Sequence, residues 1–330
     1  MRTFYYIVLS GILALGLVAC SKGPEDEAGL KPIVIQPDWY PQPEQGGFFM
    51  AKAAGIYEEF GLSVEILDTS PNIPFVQRVA KGDATVGFTR LDLLIEAISK
   101  GLPLMIIGKY AEHSPVSIMV PEASDIHSFP DLDDKRVMAA IFVPYVDFIQ
   151  AHYDIKMRLF PHNWGTAQFM AGELDAQQAY ITSEPFYVER LGMPVRTLLV
   201  ADSGYDPPHV VFTNEENWKT RKDDLLAFFE ATMEGWLAYL EDDPSPANEV
   251  IGELNPKMDA EFMAWSREVL IEEGLIWGRG EEKREAWGKL EKEEVAMVVQ
   301  QLQKIGQVPD LDSEEFPWVD FDFVWSEDQD

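Results

Sequence analysis

The chain is 330 residues long, carries 26 lysines and arginines against 57 aspartates and glutamates, and has a formal net charge of −31. So acidic a surface repels nucleic acid and anionic lipid, which excludes both as principal partners, and it favours a neutral or cationic ligand over a multiply charged anion. The apolar fraction of 46% is that of a globular chain with room for two ordinary domains, and the single cysteine rules out an intrachain disulfide and a cysteine metal site.

Arg2 opens the chain with a positive charge, and residues 7–19 are apolar apart from Ser10, Gly11 and Gly16. That run is short for a bilayer span and suits the core of a secretory signal. Its end, Leu17-Val18-Ala19-Cys20, resembles a bacterial lipoprotein signal. The resemblance implies residues 1–20 as signal peptide, lipidation at Cys20, and a place on the periplasmic or cell-surface side of a bacterial membrane. An ordinary signal with an incidental cysteine is the other reading. Residues 21–30, acidic with Gly23, Pro24 and Gly29, read as a tether.

From residue 31 the pattern alternates. Strands are predicted at 32–36, 63–67, 84–89 and 104–107, and helices at 46–60, 74–81 and 91–100, with Gly61, Gly82 and Gly101 as stops. Such spacing implies right-handed crossovers and a mostly parallel sheet. A strand at 116–120 leads into a stretch rich in proline and aspartate, after which the alternation starts again. Strands are expected at 136–141, 157–160 and 177–181, helices from 144 and at 165–172, and return strands at 195–200 and 210–213. Beyond Asn214 the chain reads as helical, at 223–240, 246–254, 259–273 and 281–304. The implied organisation is α/β with two domains and two crossovers: 31–115 and 214–330 form domain I, with a helical C-terminal segment, and 116–213 form an inserted domain II. Ligands of such bodies bind between the domains, at the carboxyl ends of the strands.

That rule selects the candidate residues. The first strand runs into Pro37-Asp38-Trp39-Tyr40-Pro41-Gln42-Pro43-Glu44-Gln45-Gly46, a loop stiffened by three prolines. Trp39 and Tyr40 offer flat faces for a ring, Glu44 shares their loop, and the N–H of Gly46 can meet a carbonyl or anionic group. The same two aromatics also suit the edge of a core. Phe88, Thr89 and Arg90 end the third strand, Tyr110 follows the fourth, Phe142 and Tyr145 follow the strand at 136, and Tyr180 and Glu184 close the strand at 177. Arg90 can equally pair with Asp92 or Glu96, and Glu184 can be a surface carboxylate before a proline turn. The five histidines show no metal spacing, although His113 and His209 fall near the crossovers. No phosphate loop and no Gly-x-Ser-x-Gly elbow is present. Trp265, Trp277 and Trp287 are expected to pack domain I, and 310–330 to strap aromatics onto the body.

Asp38-Trp39-Tyr40-Pro41, the run Gly47-Phe48-Phe49-Met50-Ala51-Lys52-Ala53-Ala54-Gly55-Ile56-Tyr57, Gly82-Asp83-Ala84-Thr85-Val86-Gly87-Phe88 and Leu174 through Phe186 together resemble the thiamine pyrimidine-precursor-binding proteins of ABC importers, relatives of the nitrate, sulfonate and riboflavin binders. The resemblance implies the two-domain periplasmic-binding fold, a monomer without cofactors, an ABC permease as partner, and hydroxymethylpyrimidine or formylaminopyrimidine as ligand. A sulfonate, nitrate or riboflavin-like ligand, or a sensing role at a membrane receptor, are the alternatives. An enzymatic branch of the fold makes the pyrimidine from pyridoxal phosphate with iron and a cysteine-rich motif. A chain whose only cysteine is Cys20 departs from that pattern, so no catalysis is expected.

Overall fold

The computed structural model describes residues 29–70, 73–140, 143–279, 287–311 and 315–322. Cys20, the signal segment and Phe142 lie outside them, as do Phe323 and Trp325.

Two five-stranded sheets organise the molecule. The first has the order β2-β1-β3-β10-β4, built from β1 (Lys31–Gln36), β2 (Leu62–Ile66), β3 (Val86–Arg90), β4 (Leu104–Ala111) and β10 (His209–Asn214). The second has the order β7-β6-β8-β5-β9, from β5 (Val116–Pro121), β6 (Arg136–Ala139), β7 (Arg158–Pro161), β8 (Ala176–Tyr180) and β9 (Val195–Leu199). The expected α/β periplasmic-binding architecture is present. Both sheets are mixed, however: β10 runs antiparallel to β3 and β4, and β5 antiparallel to β8 and β9. A chain that leaves one sheet and enters the other starts from the edge where the two lobes meet, so each entering strand runs against its neighbours. Because β10 belongs to the first sheet, the return crossing precedes His209, not Asn214 as the sequence boundary had it.

Three helical boundaries also differ from expectation. The segment 46–60 breaks into α1 (Gly46–Ala53) and α2 (Ile56–Glu59), because Gly55 turns the chain at φ 77°, a left-handed conformation that glycine adopts without steric cost. Next come α3 (Phe75–Lys81), α4 (Leu91–Ser99), α5 (Pro144–Tyr153), α6 (Ala167–Met170) and α7 (Glu184–Arg190). The long helix α8 (Glu215–Glu241) starts eight residues before the predicted 223, since the Asn214 side chain accepts from the Asn217 N–H at 2.8 Å and caps it, while Arg221 at φ −139° kinks it. After α9 (Ser245–Leu254) and α10 (Ala260–Glu272), helix α11 covers Lys292–Lys304; of the helix predicted at 281–304, residues 281–286 lie outside the described residues and 287–291 are not helical. Trp287 precedes it in a turn, buried, donating from Nε1 to the Tyr110 carbonyl at 2.8 Å.

Helices α1 and α8 pack at backbone distance. A Cβ on Gly46 would lie 2.2 Å from the Tyr239 ring, and one on Gly47 2.2 Å from Trp236. That approach lets Phe48 stack on Phe88 at 4.2 Å and 20°, with Tyr110 and Trp236 edge-on around it. Trp265, Trp277 and Trp287 all pack on this first-lobe core, as expected. Near the C-terminus, Phe316 and Val319 are buried, and Val319 bridges Ile106 on the edge strand β4. The strap therefore covers an otherwise open edge. No helix of the described residues is long and apolar enough to cross a membrane.

Candidate functional site

A cavity of about 270 Å³ lies between the two lobes. The first lobe contributes the carboxyl ends of its parallel strands: Asp38 and Trp39 beyond β1, then Glu44 and Gln45 in a short 3-10 turn (Pro43–Gln45), and Phe88, Thr89 and Arg90 at the end of β3. The second lobe contributes Ala140 and Val143 beyond β6, His162 and Trp164 beyond β7, and Gln178, Tyr180, Ser183 and Glu184 from β8 and the start of α7. Trp39 and Trp164 meet across the mouth with ring centroids 4.8 Å apart at 53°. Trp164 is held there in a left-handed conformation, φ 61°, with its N–H on His162 Nδ1 at 2.9 Å.

Eight of the sequence-predicted residues line this cavity: Trp39, Glu44, Phe88, Thr89, Arg90, Tyr110, Tyr180 and Glu184. Three do not. Tyr40 is 41% exposed and touches the edge of Trp39 at 5.7 Å, because the proline-stiffened loop turns it outward. Gly46 is consumed by the close packing on Tyr239. Tyr145 stands behind the wall, where its hydroxyl donates to Gln178 Oε1 at 2.6 Å and so orients a residue that does line it.

Several wall residues escaped the sequence reading. His209 is the clearest: β10 is antiparallel, with His209 in register with Arg90 and Ala111, so its first residue reaches the cleft and not its last. A rule about carboxyl ends cannot find it. Gln178 had a usable signal, since it alternates with Tyr180 on one face of β8. Asp38 sat beside Trp39 in the quoted loop. Trp164 lies just beyond the strand predicted at 157–160, so the carboxyl-end rule pointed to it and was not applied there.

The electrostatics are lopsided. Asp38 is pushed up to about 6 by burial, against the opposing pull of a Thr89 hydrogen bond and the Arg90 charge. Burial raises Glu44 to about 7; the Thr182 hydroxyl, which donates to its Oε1, works against the shift and the Glu184 charge adds to it. Glu184 is also raised by burial, although its Oε2 accepts the Tyr180 N–H at 2.8 Å. Burial and the neighbouring Arg90 charge bring His209 down to about 3, so it is neutral, with Nδ1 3.2 Å from the Tyr110 hydroxyl. His162 is lowered by burial as well. Arg90 is the one lysine or arginine on the wall among the described residues, and it is committed: Nε and Nη2 donate to the two carboxylate oxygens of Asp92 at 3.0 and 2.9 Å. Asp92 is also held by the Tyr205 hydroxyl at 2.9 Å. Among the described residues no group of three or more histidine, cysteine, aspartate or glutamate side chains is placed to hold a metal ion.

His113 and Asp206, 2.6 Å apart, tie the two segments that cross between the lobes, and Asp206 also accepts the Ser114 N–H at 3.1 Å.

The sequence profile of the NMT1/THI5-like family matches residues 42–247, a stretch that holds most of this cavity wall. The chain belongs to that family. It is similar to the formylaminopyrimidine-binding protein of Halalkalibacterium halodurans, 25% identical over 270 residues, which are 76% of this chain and 79% of that one. The chain spans about a third of the length of two further curated relatives. One is the 4-amino-5-hydroxymethyl-2-methylpyrimidine phosphate synthase of Legionella pneumophila, 27% identical over 105 residues, which are 32% of this chain and 33% of that one. Among solved structures, a periplasmic sulfonate-binding protein from Methylobacillus flagellatus KT superposes with a TM-score of 0.63 at 14% identity, covering 90% of this chain and 92% of that one. At that identity the likeness establishes the fold alone.

Proposed function

We propose that this protein is the substrate-binding component of an ABC importer and that its cleft takes an unphosphorylated aminopyrimidine of the thiamine-precursor type, hydroxymethylpyrimidine or formylaminopyrimidine. The observation that carries the reading is the composition of the wall. Aromatic rings of Trp39 and Phe88 stand beside three carboxyl groups, Asp38, Glu44 and Glu184, while the charge of Arg90 is spent on Asp92. Carboxyl groups accept from the amino and hydroxyl donors of such a ring, and a charged acceptor makes each bond roughly twice as strong as a neutral one. A sulfonate or nitrate would meet three acids and no uncommitted cation among the described residues. A phosphate-bearing substrate or cofactor meets the same obstacle, so the reading is of binding and release, not turnover. The volume of about 270 Å³ suits a single substituted ring.

The name of the Halalkalibacterium relative supports the same ligand class, because the match extends over three quarters of both chains. The reading places the protein outside the cytoplasmic membrane, held by lipid at Cys20, as a monomer that delivers its ligand to a permease. Mass spectrometry of protein purified from its native envelope tests both halves. The expected result is an acylated N-terminal cysteine and a released aminopyrimidine. An unmodified N-terminus would remove the anchor, and a released sulfonate or flavin would remove the ligand assignment.

A further inference from the structure

Glu44 presents an oxygen that the protein itself does not use. Its Oε1 accepts from the Thr182 hydroxyl of the opposite lobe, whereas Oε2 is buried without a partner. Two more cavity-lining residues each carry such an atom: Oε1 of Gln45, a residue 3% exposed, and Nε2 of His209, 9% exposed. An unmet buried polar atom costs about 1–3 kcal/mol, and more when charged. All three belong to residues that line one small cavity.

The groups that face Glu44 do nothing to neutralise it. Glu184 approaches from α7 and adds a like charge. Asp38 acts on the same two tyrosines, Tyr110 and Tyr180, as Glu44 does. Those two, with Tyr187 and Tyr239, are all pushed upward by burial and stay neutral at working pH. Arg90 is held by Asp92, and His209 is neutral.

We infer that the liganded cleft holds one proton at Glu44 Oε2, shared with a basic ring nitrogen or amine of the ligand, so that binding and proton uptake are a single event. The inference deepens the aminopyrimidine reading and rests on it. Closing a neutral ligand over an ionised Glu44 would bury an uncompensated charge opposite Glu184, which is costly; one proton from solvent, placed between oxygen and nitrogen, removes that cost. No other bond is made or broken. The substrate class is thereby narrowed to weak bases that titrate near neutrality. A quaternary ammonium compound has no nitrogen with which to share the proton, and an anion supplies none.

The test is calorimetry of the purified protein with hydroxymethylpyrimidine in buffers of different ionisation enthalpy. Glu44 in the empty cleft titrates at about 7, so wild type should take up nearly one proton per ligand at pH 8, and the uptake should fall steadily as pH drops, because Glu44 and the free base each begin to carry a proton of their own. Glu44→Gln should lose the uptake at pH 8 and bind more weakly. Glu184→Gln removes the facing charge, so Glu44 is more ionised before binding and uptake at pH 7 should rise above the wild-type value. This second variant keeps the test decisive if Glu44→Gln does not fold. Heat that is independent of buffer in wild type, or an uptake unchanged by either substitution, overturns the inference while leaving the ligand assignment standing. Absence of any heat with both hydroxymethylpyrimidine and formylaminopyrimidine instead overturns the ligand assignment.

Discussion

Asp92→Asn is the perturbation with the most to say about why the cleft is acidic. Asp92 has no exposed surface, and its carboxylate accepts from Arg90 Nε and Nη2, from the Tyr205 hydroxyl and from the Leu93 N–H, at distances of 2.9 to 3.0 Å. Asparagine keeps the shape but removes the charge and turns one acceptor into a donor that points at donors. Arg90, 7% exposed, is then left without its counter-ion. Removing one partner of a buried pair costs about 3–5 kcal/mol, most of it from the stranded charge. Replacing both partners relieves that charge, so Arg90→Met combined with Asp92→Asn should be less destabilised than the sum of the single variants by about 1.5–3 kcal/mol. Urea denaturation followed by tryptophan fluorescence measures both quantities from the midpoints and slopes. A cost for Asp92→Asn below about 1 kcal/mol, or strict additivity of the pair, would refute the view that Arg90 is neutralised inside the wall.

Two further outcomes are expected. Trp164→Ala removes the ring that meets Trp39 across the mouth; an aromatic pair is worth about 0.5–1.5 kcal/mol, so release of hydroxymethylpyrimidine in stopped-flow fluorescence should speed up roughly 2- to 12-fold, and an unchanged rate would show that the contact does not hold the cleft shut. The empty protein should lose stability as pH rises from about 4 to about 7: Asp38 and Glu44 have folded values near 6 and 7 against 3.8 and 4.5 ordinarily, so the folded state binds the extra protons at low pH and forfeits that advantage as they leave. Asp38→Asn with Glu44→Gln should flatten that part of the pH–stability curve; a curve that keeps its slope would assign it to other groups.

Much of the site was legible because it obeys one local rule. Trp39, Phe88, Thr89, Arg90, Tyr180 and Glu184 all lie at or just beyond the carboxyl ends of strands that pair in parallel with a neighbour, and hydrophobic periodicity locates such ends. Asp38, Gln178 and Trp164 satisfied the same rule and were passed over, whereas His209 depends on a relation between distant segments. His209 required knowing that β10 runs antiparallel between β3 and β4. What the fold alone decides for Trp164 is its partner, Trp39 on the opposite lobe. Helix ends were read well at Gly82 and Gly101, and poorly at Gly55, which splits α1 from α2, and at α8, where the start depends on a side-chain cap by Asn214.

Composition and pattern alone were enough to determine an acidic, two-lobed α/β chain with aromatic and carboxyl side chains at the strand ends, because these are properties of residue type and of spacing along the chain. They could not say which charges on that wall are available. Arg90 and Asp92 are two residues apart, and the sequence permits either a ligand contact or an internal pair; burial of both, with Tyr205 locked on Asp92, decided for the pair. Glu44 and Glu184 are 140 residues apart and carry ordinary carboxyl groups until folding brings them to one cavity, strips away their water and leaves Glu44 Oε2 unmet. Charge state depends on solvation and on neighbours in space, and both are set only when the two lobes meet.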